Sequence, residues 1–376
     1  AFEDSQSLVA GQENELISID YGDGTTGIDL SHTYSESGKY QVQMNFKSPV
    51  TEIGYYAFYE CSNLIGVEFP ENLTKIGESA FERSGLCDSL IIPDNNVSIG
   101  TWAFAITGEF ENFVIPYGTD FVGGTGQFVG IKAKNFYLGA DILDDGDMWK
   151  SSSMFMEASI DRLIVGKQVK TLGNYALEHR SGTCIKNIEF ESPSVLEYIG
   201  DAAFVNNTGI VSITLPSSIK YISTYCPFDL CPGLKEINIL ENYGTFYSTD
   251  GVLYSNHLEG VDCSIFRYPE GKEGASFENH RVSHIAPSAF RDNKYLQKVS
   301  VDLGHGIGDC AFMGCTNLSE IYGCDYPMMA ELYAYEIYIG KAAFRDCVSL
   351  TEYTIGATVD VIKASAFHNC RSLQRI

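Results

Sequence analysis

The sequence predicts a β-rich repeat solenoid, and three observations carry that prediction: a recurring phrase, a fixed pitch and one alternating apolar run per unit. The phrase is I-G-x-x-A-F. It reads Ile53-Gly54-Tyr55-Tyr56-Ala57-Phe58 and returns, intact or degenerate, from Ile76, Ile99, Leu172, Ile199, Ile222, Ile285, Ile307, Ile339 and Ile362. The steps 53→76→99, 199→222 and 339→362 are each 23 residues, and 285→307 is 22. Such a pitch marks units that bury their apolar faces only against their neighbours.

One unit, residues 61–81, justifies each element in turn. Val67 and Phe69 alternate with Glu68, which predicts a short strand with one buried face. Pro70 lacks a backbone donor and ends it. Leu64, Leu73 and Ile76 complete the apolar ring, Gly77 is read as permitting a turn, and Ala80-Phe81 fills the end of the coil. The same ring recurs at Phe110, Phe113 and Ile115, at Ile210, Ile213 and Leu215, and at Leu350, Tyr353 and Ile355. Stacked rings make one long core, which accounts for most of the aromatic content.

Composition bounds the rest. The apolar fraction of 44% excludes wholesale disorder. A net charge of −24 opposes nucleic acid or an anionic membrane as partner. No stretch reaches the roughly 18–20 apolar residues of a membrane span, and the opening Ala1-Phe2-Glu3-Asp4-Ser5 reads as a mature or trimmed start. Of eleven cysteines, Cys61, Cys231, Cys315, Cys347 and Cys370 follow the repeat Phe by three, where other units carry Ser84, Thr107, Asn207 and Asn293. A slot shared by Cys, Ser, Thr and Asn predicts a ladder of small, free, buried side chains. Disulfide pairing stays open for Cys226, Cys231, Cys310 and Cys324.

The consensus C-x-x-L-x-x-I-x-[IL]-P-x-x-V-x-x-I-G-x-x-A-F resembles the BspA-like leucine-rich repeat over residues 50–376. The resemblance implies a β-rich α/β repeat solenoid: a right-handed leucine-rich-repeat superhelix with one shared parallel sheet and short strands or helical turns elsewhere. It further implies a secreted or cell-surface protein, bacterial or from a parasitic protist, engaged in adhesion rather than catalysis. Residues 1–47 resemble a shortened PKD-type, immunoglobulin-like element, from the Asp20-Tyr21-Gly22-Asp23-Gly24-Thr25 turn and the His32-Thr33-Tyr34 run, and are read as covering the first repeat of a solenoid over 48–376. Asp20 and Asp23 fit backbone turn geometry better than calcium.

Three further departures from the pitch lie near 117–171, 240–275 and 322–338, and irregular insertions on a repeat scaffold are where function concentrates. The first holds Asp141, Asp144, Asp145 and Asp147, which fail as an EF-hand because Leu143 and Ser152 occupy ligand positions. In the second, Asp250-Gly251 between alternating apolar residues predicts a hairpin, with Ile265–Pro269 as partner strand. The third is rich in tyrosine: Tyr322, Tyr326, Tyr333 and Tyr335 form the candidate binding patch, since tyrosine offers broad amphipathic contact. Outward strand positions Glu68, Ile91, Val114, Thr214, Asn238, Ser300 and Thr354 form a candidate sheet face of mixed character.

No catalytic constellation emerges. There is no G-x-S-x-G, P-loop, dinucleotide fingerprint, H-E-x-x-H or C-x-x-C, so no catalytic, cofactor or metal residues are assigned. His280 and His284 are four apart without further ligand support. The expectation is a monomeric, non-enzymatic extracellular scaffold that binds a protein or glycan. A carbohydrate-binding accessory protein and a purely structural spacer are the alternatives.

Overall fold

The computed structural model describes residues 16–29, 31–122, 126–143, 154–179, 185–241, 244–258, 261–282, 284–302, 306–324, 337–356 and 359–376. The chain forms two compact units, Ala1–Ala140 and Asp141–Ile376. Both are built from stacked coils joined by parallel pairing, and the described residues contain strands but no helix, which removes the expected α/β label.

In the first unit, Leu16–Asp20 pairs antiparallel with Thr26–Gly27 and Gln43–Phe46. The coils follow. Leu90–Ile91, Glu109–Ile115 and Lys132–Leu138 pair in parallel on one side. The two-residue strands Glu52–Ile53, Lys75–Ile76, Ser98–Ile99 and Asp120–Phe121 pair in parallel on another. Two lines of parallel pairing therefore replace the single sheet expected. The run around Val67 and Phe69 is half-buried and forms no strand, and Phe69 instead packs edge-on against Phe81 at 5.9 Å.

In the second unit the long strands are Ser159–Val165 with Ile185–Phe190, Ser212–Leu215 with Glu236–Ile239, and Ser276–Asn279 with Lys298–Asp302 and Glu320–Cys324. The short line runs through Thr171–Leu172, Tyr198–Ile199 and Tyr221–Ile222, and later through Tyr338–Ile339 and Val361–Ile362. Isolated bridges join Ile285, Ile307 and Ile339.

The phrase I-G-x-x-A-F makes the remaining edge, and its backbone explains why no helix forms. Two residues per copy, four apart, adopt left-handed φ: Tyr56 and Glu60, Ser79 and Arg83, Trp102 and Ile106, Ala202 and Asn206, Ala342 and Asp346. A left-handed residue every fourth position interrupts any i→i−4 ladder. Hydrogen bonding alternates accordingly. Tyr56, Phe58 and Glu60 donate to Glu78, Ala80 and Glu82 of the next coil at 2.9, 2.7 and 2.9 Å, while Ala57, Tyr59 and Cys61 donate back within their own turn. Each non-glycine left-handed residue costs roughly 1–2 kcal/mol, offset by these bonds and by the burial of the Ala-Phe pair.

The repeat glycine has a different role from the one expected. Gly100, Gly200, Gly308 and Gly340 carry no positive φ. A Cβ on any of them would instead strike the backbone of the preceding coil, at 2.4 Å from the Gly308 carbonyl carbon in the case of Gly340. Coil spacing, not turn conformation, demands glycine here. Gly340→Ala should therefore destabilise the second unit by about 1–3 kcal/mol through overpacking, and a thermal melt indistinguishable from the parent would refute this.

Inside the coils the phenylalanines stack. Phe58, Phe81 and Phe104 lie 5.0 and 5.4 Å apart with planes within 6°. In the second unit Phe290, Phe312, Phe344 and Phe367 continue the pattern at 4.7, 5.2 and 5.1 Å. The small slot beside them is a hydrogen-bonding ladder. Cys315, Cys347 and Cys370 donate their thiols to Phe290, Phe312 and Phe344 carbonyls of the preceding coil at 3.0, 3.1 and 3.0 Å. Thr107 and Asn207 instead donate to the Phe carbonyl of their own coil, at 3.2 and 3.0 Å, and Asn207 also reaches the Leu177 carbonyl of the preceding coil at 2.7 Å. Burial pushes the Cys231 and Cys315 thiols up to about 12, so they stay protonated donors.

The hairpin forms where expected: Phe246–Thr249 pairs antiparallel with Val252–Leu258 around Asp250-Gly251, both left-handed as a type I′ turn requires. Val261–Arg267 then pairs with both Val252–Leu258 and His284–Ile285. This coil delivers Tyr268 onto Phe290 but has no I-G-x-x-A turn ahead of it. The side chain of Arg267 occupies that place. It donates to the Phe228 carbonyl at 3.3 Å and to the Ser288 carbonyl, bridging the flanking coils, and lies 2.7 Å from the Asp229 carboxylate. Arg291 holds the other Asp229 oxygen at 2.8 Å. The accommodation is incomplete: among the described residues Arg267 Nε has no acceptor, and Asp229 Oδ1, though close to Arg267, lies outside hydrogen-bonding geometry.

Cys226, Cys231 and Cys310 are free thiols. Cys231 belongs to the ladder, bonded to the Phe204 carbonyl at 3.2 Å. Cys226 faces Ser288 at 3.9 Å, and Ser288 donates to Asp309 of the coil that carries Cys310. With a coil between them, these two cysteines are too far apart to pair.

His179 is fully buried, and neither ring nitrogen has a partner among the described residues. Burial pulls its pKa from 6.5 down to about 4. The unfolded chain therefore binds the proton first, so stability is intact above pH 6.5 and falls as pH drops toward 4. His179→Leu should remove about 3 kcal/mol of acid-dependent loss over that window. Superimposable urea stability–pH curves for parent and variant would contradict it.

Candidate binding surface

The long-strand face places the predicted positions unevenly. Ile91 pairs with Val114, Thr214 with Asn238, and Ser300 with both Glu278 and Tyr322. Ile91 is 66% exposed, whereas Val114, Asn238 and Ser300 are half-buried. Glu68 and Thr354 are exposed but lie outside any strand, so they do not join the row. The face is occupied by cross-strand pairs. Ser89, Asn112 and Asn135 form a polar ladder with 3.1 Å links, and Lys134 bonds Glu111 at 2.6 Å. In the second unit Arg162 grips Glu189 through two bonds, Lys186 meets Asp161 at 2.6 Å, and Lys298 meets Glu320 at 2.9 Å. These exposed pairs are screened by water and add little to stability. They do take up the charges a ligand would need.

Of the tyrosine patch, Tyr322 is on the strand after Ser300, 56% exposed, and donates to Glu320 at 2.5 Å. Tyr326, Tyr333 and Tyr335 lie outside the described residues. So do Asp144, Asp145 and Asp147, while Asp141 accepts the Lys170 and Thr171 amides at 2.6 and 2.9 Å. At the amino-terminal turn, Asp20 accepts the Gly22 amide, and Asp23 accepts from Thr25 and contacts His32 at 2.7 Å. These bonds hold Asp23 at about 2, the Thr25 hydroxyl being the largest cause. His284 is buried and His280 exposed beside Glu278, so the two do not converge. Among the described residues no group of three or more His, Cys, Asp or Glu could hold a metal ion.

Two further pairs of tyrosines sit on regular coils rather than on insertions. Tyr198 and Tyr221, each one before the repeat Ile, stack at 4.9 Å with planes 10° apart. Tyr175 and Tyr225, three after Leu172 and Ile222, lie on the coils before and after that of Ala202, Tyr225 sharing its coil with Tyr221. Tyr175 donates its amide to Asp201 at 2.7 Å, and Ala202 donates to Tyr225 at 3.0 Å, so the small Ala202 separates the two rings. Tyr221 and Tyr225 are 48% and 62% exposed, which makes them available rather than core. Burial, then the nearby Tyr225 and Asp201, pushes the Tyr175 phenol up. Their frame is fixed: Asp201 donates its amide to Asn174 at 2.6 Å and accepts from the Ser223 hydroxyl, which in turn receives the Tyr225 amide at 2.9 Å. Lys220 is held by Glu197 at 2.7 Å. The signal was in the sequence: slots that elsewhere hold Glu52, Lys75 or Ser98 hold tyrosine in two consecutive units.

The BspA type leucine rich repeat region (6 copies) matches residues 31–142, 151–262, 252–336 and 337–376. The chain belongs to this family. BspA-type coils account for the shared phrase, the phenylalanine stack and the thiol ladder, and no enzyme family is indicated. Among solved structures, the chain is similar to a leucine rich cell surface protein from Faecalibacterium prausnitzii A2-165, at 21% identity and TM-score 0.51, covering 99% of this chain and 95% of that one. It is also similar to the pneumococcal vaccine antigen PcpA, at 17% identity and TM-score 0.48 over 95% and 80%. A leucine-rich repeat protein from Bacteroides ovatus ATCC 8483 follows at 22% and 0.44 over 87% and 70%. No curated protein matches. Among the described residues no helix is long and apolar enough to cross a membrane.

Proposed function

We propose that this BspA-type chain is a non-catalytic, monomeric recognition scaffold displayed outside the cell, which binds a protein or glycan partner through exposed aromatic side chains on rigid coils. The observation that carries the reading is exposed tyrosine on regular coils: Tyr221, stacked on Tyr198, is 48% exposed and Tyr225 is 62% exposed. A structural spacer calls for no such exposure. The cell-surface description of the Faecalibacterium prausnitzii protein supports the location. The amino-terminal antiparallel segment is read as a PKD-like cover for the first coil.

The test is a panel of immobilised extracellular-matrix proteins together with a glycan array, probed with the parent, Tyr221→Ala/Tyr225→Ala and Tyr322→Ala. The expected result is a ligand whose binding falls in one variant while both melt like the parent. No ligand in either panel, or a demonstrated turnover reaction, overturns the reading.

A further inference from the structure

We infer that the I-G-x-x-A-F turns of the first two coils, through Tyr55, Tyr56, Tyr59, Glu60 and Glu78, dock a lysine- or arginine-bearing segment of a partner protein. This rests on the scaffold reading and names the surface and the partner chemistry.

The rings present open faces. Tyr55 and Tyr56 meet edge-on, with centroids 5.9 Å apart and planes at 85°, and Tyr56 meets Tyr59 at 5.3 Å and 70°. An edge-on contact covers at most one ring face, so the trio keeps much of its π surface free. Tyr55 is 65% exposed and Tyr56 44%. A free phenol face carries the negative side of the ring quadrupole and attracts cations. The turn does not need these rings, since Ala202 and Ala342 hold the Tyr56 slot of other coils with the same left-handed φ.

The charge around them is lopsided. Residues 53–61 and 76–84 hold three carboxylates, Glu60, Glu78 and Glu82, and a single cation, Arg83. Arg83 is shared, 3.3 Å from Glu60 and 3.7 Å from Glu82. Glu78 occupies the Tyr55 slot of the second coil, where its carbonyl accepts the Tyr56 amide at 2.9 Å. Its side chain is exposed and has no ion-pair partner among the described residues. An anion would meet like charge here, and a neutral ligand would leave the excess unanswered.

The backbone adds acceptors of the same sign. In the second coil the carbonyls of Glu78, Ala80 and Glu82 receive amides from the first. Those of Tyr55, Ala57 and Tyr59 are their equivalents, and no backbone amide among the described residues reaches them. Ammonium and guanidinium groups bring donors and no acceptor, which suits ring faces, carboxylates and bare carbonyls alike. These groups run along both turns, too widely for one ammonium and in keeping with a segment that carries several basic side chains. The forward amide bonds of Tyr56, Phe58 and Glu60 hold the backbone beneath the rings, so little order is lost on binding.

The experiment is fluorescence anisotropy of labelled hexalysine and hexaarginine with the full chain, at low and near-physiological salt, with labelled hexaglutamate as charge control. Choline and cellohexaose are titrated separately by calorimetry. At least one basic peptide should bind. Tyr55→Ala/Tyr56→Ala should weaken it about fivefold or more, and Tyr55→Phe/Tyr56→Phe should retain most of the affinity because the ring faces remain. Glu78→Gln should weaken it about twofold or more at low salt. Glu241→Gln removes the same charge from an exposed site on the second unit and should leave binding unchanged, as should Tyr221→Ala/Tyr225→Ala. Thermal melts establish that each variant is folded. Absence of peptide binding overturns the inference, as does unchanged affinity in Tyr55→Ala/Tyr56→Ala, equal loss in either control variant, or binding confined to choline or cellohexaose. Failure here, alongside a matrix protein or glycan captured through Tyr221 and Tyr225, would sink this docking surface alone and leave the scaffold reading standing.

Discussion

Arg267→Met is expected to cost the second unit about 3–5 kcal/mol, the scale of breaking a buried ion pair from one side. The guanidinium and the Asp229 carboxylate are only 3% and 4% exposed, so neither can recover its lost partner from water. Methionine would leave the Phe228 and Ser288 carbonyls without this donor and Asp229 with Arg291 alone. Removing the charge that is left behind should help: Arg267→Met/Asp229→Asn should recover part of the loss, because a buried amide costs less than a bare carboxylate. Equilibrium urea unfolding of the three proteins measures both effects. A single variant within about 0.5 kcal/mol of the parent would mean that the arginine merely fills space. Limited proteolysis adds a positional readout, with new cleavage expected in the hairpin between Phe246 and Arg267.

Phe312→Ala should be comparably severe, about 3–5 kcal/mol. Phe312 is fully buried and stacked on both faces, 4.7 Å from Phe290 and 5.2 Å from Phe344. Truncation leaves a void that the neighbouring coils cannot close, because the Cys315 and Cys347 thiol bonds and the amide ladder fix their spacing. Phe312→Leu should cost much less. Since each coil contacts only its neighbours, the damage should also divide the transition, with coils after Phe312 melting ahead of those before it. A single sharp transition with an unchanged m-value would argue against that decoupling.

The core was legible because it repeats. Phe81, Phe104, Phe290, Phe312 and Phe344 are all fully buried, as the I-G-x-x-A-F phrase requires, and the slot shared by Cys, Ser, Thr and Asn holds the small side chains expected, with Cys231, Cys315 and Cys347 free and buried. The Asp250-Gly251 hairpin was equally readable. What escaped was set by relations between coils rather than within one. The left-handed pairs carry no obligatory residue type, although Asn206, Asp292, Asp346 and Asn369 two after the Phe were a usable sign. The repeat glycines look like turn residues until the preceding coil's backbone is seen pressed against them. Arg267 is an ordinary strand residue in the sequence and becomes a substitute for a missing turn only once its neighbours are stacked. Val67 and Phe69 alternate as a strand does yet form no strand pairing among the described residues, since alternation specifies faces and not partners. Tyr198, Tyr221 and Tyr225 went unread because recognition was assigned to the insertions and to the outward positions of the long strands, whereas Tyr198 and Tyr221 lie on the short-strand line.

The alternating bonds at the I-G-x-x-A-F edge also give that edge an electrical polarity. Tyr56, Phe58 and Glu60 all send their amides forward, and Ser79, Phe81 and Arg83 do the same one coil later. In this edge the linking peptide groups align head to tail, so their dipoles reinforce as they do in a helix. The sense is reversed, with the positive pole toward the carboxyl-terminal coils of each unit. A charged or dipolar molecule approaching that ridge meets a field with a direction along the stack, and should prefer one orientation over its opposite.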